Sequence, residues 1–132
     1  MHRQGARKED KNMSRKIKNM ALVENMRRLY QKHFDDAIFI KNTLEWKRFK
    51  TCQACTAYYH GYVFLRSYDE IVALYDPSKD LIVEYGHFTN TTYQHIGKWR
   101  NYLRMEYYKH LSGEEYWNSI SQVNLELVDW YN

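Results

Sequence analysis

Two runs of β-forming residues, Glu70-Ile71-Val72-Ala73-Leu74-Tyr75 and Leu81-Ile82-Val83-Glu84-Tyr85, flank the segment Asp76-Pro77-Ser78-Lys79-Asp80. Proline presets φ for the first corner of a turn, and the Asp and Ser side chains can bond the turn's backbone. The spacing predicts a hairpin over residues 70–86, and the rest of the chain has to fold around it.

Two helices are predicted to cover that hairpin. Leu22, Met26, Leu29 and His33 recur at steps of four, three and four, with Val23, Tyr30 and Phe34 beside them, so residues 14–34 form one apolar stripe at helical spacing. Ser14 is placed to cap it, Glu24 and Arg28 form an i,i+4 pair, and Lys18, Asn25, Arg28 and Lys32 line the outer face. Asp35-Asp36 is read as the break, and Ala37-Ile38-Phe39-Ile40 as a short buried strand. Further on, Thr89-Asn90-Thr91 offers caps, and Tyr93, Ile96, Trp99 or Arg100, Leu103 and Tyr107 make a helical stripe to about His110, stopped by Ser112-Gly113.

The remaining segments give less. Residues 46–51 read as strand or loop, 56–65 as a short helix by analogy with the second Thr-to-His phrase described below, 114–120 as a further turn or two, and 123–128 as a last strand. The expectation is one α+β domain over residues 13–132, with a small antiparallel sheet around the hairpin packed by two main amphipathic helices. Residues 1–12 are expected to be a disordered basic tail.

Composition agrees with a packed domain. The chain has 132 residues, 44% of them hydrophobic and 17% aromatic, enough for one core and too short for two ordinary domains. Five glycines and one proline leave little for linkers. No apolar run approaches the roughly 20 residues that span a bilayer, and the N-terminus lacks the apolar segment of a secretory signal. Two cysteines do not make a disulfide framework. These features predict a cytoplasmic protein with free thiols.

Charge is uneven. Residues 1–32 hold ten Lys or Arg against three acids, a net of +7, so with +4 overall the other hundred residues sum to −3. A basic arm on a mildly acidic body suits contact with nucleic acid, or with an acidic protein surface.

A phrase occurs twice, Thr56-Ala57-Tyr58-Tyr59-His60-Gly61 and Thr91-Thr92-Tyr93-Gln94-His95-Ile96, each with Thr four residues before His. On a helix these positions share a face, so Thr56 with His60 and Thr91 with His95 are candidate polar sites. His60 and His95 are also the candidate acid and base of a metal-independent nuclease. Neither is accompanied by a nucleophile or an orienting carboxylate in sequence. Cys52-Gln53-Ala54-Cys55 with His60 suggests zinc, but a tetrahedral site then needs His33, His87 or His95 from elsewhere, and no second ligand pair exists. A thioredoxin-like redox role for the cysteine pair is disfavoured by the residues that follow it. No Gly-rich phosphate loop, His-Glu-x-x-His or Gly-x-Ser-x-Gly occurs. No cofactor or metal is expected.

Ser67-Tyr68-Asp69-Glu70-Ile71-Val72-Ala73, followed by Tyr85-Gly86-His87-Phe88-Thr89-Asn90-Thr91-Thr92-Tyr93-Gln94-His95-Ile96, resembles an uncharacterised family of small proteins carried by bacteriophages and other mobile elements of Gram-positive bacteria. The family pattern pairs Ser-Tyr-x-x-x-Val-Ala with Ser-x-Thr-Thr-x-x-His-Ile, and Thr89 stands where the family usually has Ser. The likeness covers residues 50–100 and implies a phage or mobile-element accessory protein. An anti-CRISPR inhibitor that binds a Cas effector is one such kind.

The resulting expectation is a non-enzymatic protein that binds a nucleic acid or nucleoprotein complex. Arg15, Lys18, Arg27, Arg28 and Lys32 are the predicted contacts, joined by Lys98, Arg100 and Arg104 if the two helices share a face. The alternatives are the histidine nuclease and an oligomerisation role with contacts near Trp117 and Trp130.

Overall fold

The computed structural model describes residues 24–49, 53–86 and 88–126. Helix α1 runs over 24–39, followed by a 3₁₀ turn at Lys41–Thr43. Strands β1 (Lys47–Arg48), β2 (Ala54–Tyr59), β3 (Tyr62–Ser67), β4 (Glu70–Asp76) and β5 (Leu81–Glu84) come next. Helices α2 (Asn90–Tyr107) and α3 (Gly113–Ser119) then lead into β6 (Ser121–Asn124). The architecture is α+β, as expected. Among the described residues no helix is long and apolar enough to cross a membrane.

The six strands form one sheet in sequence order, β1 to β5 antiparallel and β6 parallel to β5. Parallel neighbours need a long crossover. Here α2 and α3 supply it, so the sheet is mixed rather than purely antiparallel.

The predicted hairpin is β4 and β5, paired from Asp76↔Leu81 to Ala73↔Glu84. Asp76 caps its turn by accepting from the Ser78 N–H at 3.0 Å, Pro77 opens the 3₁₀ turn, and Asp80 closes it in the left-handed region at φ 49°. Residues 56–65 are not a helix, contrary to expectation. They belong to a second hairpin, β2 and β3, whose two-residue turn His60-Gly61 has positive φ at both positions, 52° and 86°. That is the geometry whose twist suits a tight hairpin, and glycine meets it without steric cost.

Opposite faces of the sheet bury different helices. Val63, Leu65, Tyr75 and Ile82 pack with Ile96, Trp99 and Leu103 of α2 and Tyr116 of α3. Phe64, Ile71, Leu74 and Val83 pack with Tyr30, Phe34 and Ala37 of α1. Between Leu65 and Arg66 the partner in β4 jumps from Ala73 to Ile71, leaving Val72 as an extra residue. This bulge resets the alternation, so Val72 and its neighbour Ala73 both face α2.

Three boundaries differ from the sequence reading. Ala37–Phe39 is helical, because Tyr30, Phe34 and Ala37 continue the buried stripe at i, i+4 and i+7 past Asp35-Asp36. Ile38 and Phe39 consequently point outward, Phe39 at 91% exposure. Ser112-Gly113 starts α3 rather than stopping α2: Ser112 accepts from the Glu115 N–H while the Glu115 carboxylate accepts from the Ser112 N–H. Of the expected last strand, Val123 and Asn124 fall in β6, Leu125 and Glu126 form a turn, and residues 127–128 lie outside the described residues.

Candidate functional site

The phrases that carry the family resemblance meet at one end of the sheet. Ser67 ends β3, and Thr92 and His95 stand in the first two turns of α2. Ser67 Oγ lies 2.7 Å from His95 Nδ1 and 3.1 Å from Thr92 Oγ1. Thr89 caps α2 through the Thr92 N–H at 3.2 Å. Tyr68 follows Ser67 at φ 55°, its N–H donating to the Gln53 carbonyl at 2.7 Å and its ring 5.4 Å from His95. Burial, with the nearby positive charge of Lys98, pushes the His95 imidazole below its usual range.

A serine hydroxyl beside a neutral imidazole is half of a nucleophile–base arrangement. Ser67 is only 3% exposed and is held from two sides, so the cluster ties β3 to α2.

The two Thr-to-His phrases have different structures. Thr56 is buried in β2, where its hydroxyl donates to the Phe64 carbonyl at 3.0 Å and accepts from Trp99 Nε1 at 3.3 Å. Its expected partner His60 is exposed in the β2–β3 turn, against Tyr59 at 4.2 Å. Strand residues four apart stand well separated along the chain, so Thr56 and His60 form no common site. In the second phrase Thr91 is exposed and Thr92, three residues before His95, takes the place expected of it. Nor do His60 and His95 make an acid–base pair. They lie at opposite ends of β3, which at about 3.3 Å per residue separates them by roughly 20 Å.

The predicted cations also divide. Arg15 and Lys18 lie outside the described residues. Arg27, Arg28 and Lys32 are on α1, with Arg28 Nη2 donating to Asn25 Oδ1 at 2.6 Å. Lys98, Arg100 and Arg104 are on α2, across the sheet, so the two sets do not share a face. Lys98 is exposed. The Arg100 guanidinium stacks 4.3 Å over the Trp117 ring, and a side chain added at Gly113 would begin 3.7 Å from the Arg104 guanidinium. Both arginines pack where α2 meets α3 and are not presented as a stripe.

Cys55 is a free thiol in β2 that accepts from Arg66 Nη2 at 3.5 Å. Cys52, His87 and Trp130 lie outside the described residues. Among the described residues no three His, Cys, Asp or Glu side chains are grouped to hold a metal.

The sequence reading missed Ser67 and Thr92 as partners of His95. The signal was present, since i and i+3 share a helix face as i and i+4 do, and Ser67 opens the first signature phrase.

Fold and cluster together define an α+β domain in which Ser67, Thr92 and His95 lock a hairpin end to a helix start. The chain belongs to a family of unknown function, DUF8033, which matches residues 25–118. No curated protein and no solved structure matches it.

Proposed function

We propose that the protein is a non-enzymatic accessory protein of a phage or mobile element. In this reading it acts in the cytoplasm of a bacterial host and binds a nucleic acid or a nucleoprotein complex through a cationic strip. A Cas effector is the nucleoprotein complex to test first.

One observation carries the reading. Along the described part of α1 the exposed side is polarised, with Arg27, Arg28 and Lys32 followed by Asp35 and Asp36. The inner side is fixed to the sheet by Tyr30, Phe34 and Ala37, so the cations stand on a rigid rod. In sequence, residues 1–23 hold seven further Lys or Arg against two acids. A polyanion laid along this strip releases counterions, and each phosphate contact steepens the salt dependence of binding. Lys98, Arg100 and Arg104 have no part in this strip.

The test is anisotropy of a labelled single-stranded oligonucleotide titrated with protein over a range of salt. Arg28→Glu with Lys32→Glu is expected to weaken binding at least tenfold and to flatten the salt slope by about two. Absence of binding at low salt, or indifference to the double reversal, rejects the nucleic-acid reading.

A further inference from the structure

Where α1 passes the β2–β3 turn there is a cavity of about 290 Å³ whose walls include Lys32, His33, Asp36, Tyr59, His60 and Tyr62. Four of these are rings. His33 lies 4.3 Å from Tyr62, and Tyr59 lies 4.2 Å from His60, so two ring pairs face the space from helix and hairpin. Lys32 brings a cation from the strip just described. Nε2 of His33 is shut away from solvent, so His33 offers the cavity its ring and not that nitrogen.

The chemistry of these walls is specific. Aromatic faces stack on a nucleobase, the Lys32 ammonium suits an internal phosphate of the strand, and the His60 imidazole N–H suits the terminal phosphate. Asp36 would repel a phosphate placed beside it and accept from a base N–H instead, which orients the base towards α1 and the phosphate towards His60. The volume sits at the lower limit of the about 300–1,000 Å³ usual for ligand sites, enough for one nucleotide-sized group. A volume for one nucleotide and no second suits the end of a strand. A terminal phosphomonoester carries about −1.5 to −2 near neutrality, more than the single charge of an internal phosphodiester.

We propose that this cavity receives the phosphorylated terminal nucleotide of a single strand whose backbone lies along the α1 strip. The inference rests on the nucleic-acid reading above and adds end recognition to it.

Short single strands of one sequence, ending in a 5′-phosphate, a 3′-phosphate or hydroxyls alone, separate the two ideas when compared by anisotropy. One phosphorylated end is expected to bind about tenfold more tightly than the hydroxyl-ended strand, the size of one charge-assisted hydrogen bond. His60→Asn, which suits the left-handed backbone of the turn, should erase that preference. Equal binding of all three strands, or a preference that survives His60→Asn, overturns the proposal without touching the strip. Nucleoside 5′- and 3′-monophosphates, followed by shifts of the His60 ring resonances, read the cavity by itself. If neither moves the ring, the cavity takes no nucleotide. If one does while no strand binds, the strip reading fails and the end-recognition proposal, which requires the strand, falls with it.

Discussion

The phenol of Tyr30 on α1 donates a 2.7 Å hydrogen bond to Oδ2 of Asp76, 46 residues away at the corner of the β4–β5 hairpin. At the other side of the same turn, Asp80 accepts from the hydroxyl of Tyr108, which follows α2 and is itself bonded to Tyr75. A five-residue turn thus fixes both helix layers to the sheet. Burial and the Asp76 carboxylate raise the Tyr30 hydroxyl well above its ordinary range, and burial takes Tyr75 to about 12, so these phenols stay protonated donors under ordinary conditions.

Tyr30→Phe removes the donor and leaves a carboxylate, only 3% exposed, short of a partner. The expected loss is about 1–3 kcal/mol in urea denaturation. For Asp76, burial pushes the carboxyl up, but bonds from the Ser78 hydroxyl, the Tyr30 hydroxyl and the Ser78 N–H, with the charge of Lys79, outweigh it and hold it below 3.8. The folded value is depressed, so this stabilisation is full above about pH 4 and fades as pH falls further. The gap between wild type and Tyr30→Phe should therefore narrow as pH falls below that, and a gap that widens instead would refute the linkage.

The elements that could be read from sequence are those whose information is local. The β4–β5 hairpin announces itself through Asp76-Pro77, and α2 through its cap and stripe. The β2–β3 hairpin was misread by analogy with the second Thr-to-His phrase, and β3 offers no alternation to correct it, since Val63, Phe64 and Leu65 are all buried. The bulge at Val72 likewise depends on pairing across strands. Of the site, the signature phrases were visible, but the Ser67 to His95 contact joins a strand end to a helix start 28 residues on, and no periodicity reports that.

One buried and one half-buried histidine, His95 and His33, should make stability depend on pH near neutrality. Burial lowers both His95 and His33, the latter further affected by Asp36, Lys32, Asp76 and His60. A depressed imidazole favours the fold above the unfolded value of 6.5 and progressively less as pH falls below it. Thermal denaturation at pH 7.5 and 5.0 should show a drop in wild type that shrinks in His95→Gln and again when His33→Gln is added. An equal drop in all three proteins would place the titration elsewhere.

Arg100 and Arg104 separate structure from binding. Removing the Arg100 guanidinium from Trp117 is expected to cost about 0.5–2 kcal/mol in Arg100→Ala. Arg104→Ala should add a smaller loss at the same α2–α3 junction. Oligonucleotide affinity should be unaffected by either, as by Lys98→Glu. A binding defect in Lys98→Glu would return the second helix to the proposed interface.

Glycine is required at two turns for different reasons. A side chain at Gly61 meets nothing within 4 Å, so Gly61→Ala bears only the left-handed backbone penalty, about 1–2 kcal/mol. At Gly86, φ is 101° and an added Cβ would lie 3.2 Å from Glu126 Oε2 and 3.6 Å from Phe88. Gly86→Ala should be the more damaging of the two in the same denaturation assay. The reverse order would show that Glu126 and Phe88 give way freely.

Phe34 and Phe39 distinguish the observed helix from the strand that residues 37–40 suggest. In a short buried strand Phe39 would be a core residue, and its loss would be severe. On α1 it stands 91% exposed, while Phe34 is fully buried between Phe64 and Tyr85, with ring centroids at 6.3 and 5.1 Å. Phe39→Ser should therefore shift stability by no more than about 0.5 kcal/mol, whereas Phe34→Ala should cost about 3–5 kcal/mol. The contrast matters for the proposed interface too, because Phe34 holds down the rod that carries Arg28 and Lys32. If Phe34→Ala still folds, it should weaken oligonucleotide binding although it removes no charge, and Phe39→Ser should not. A stability loss at Phe39 comparable to that at Phe34 would mean that α1 ends at Asp35-Asp36.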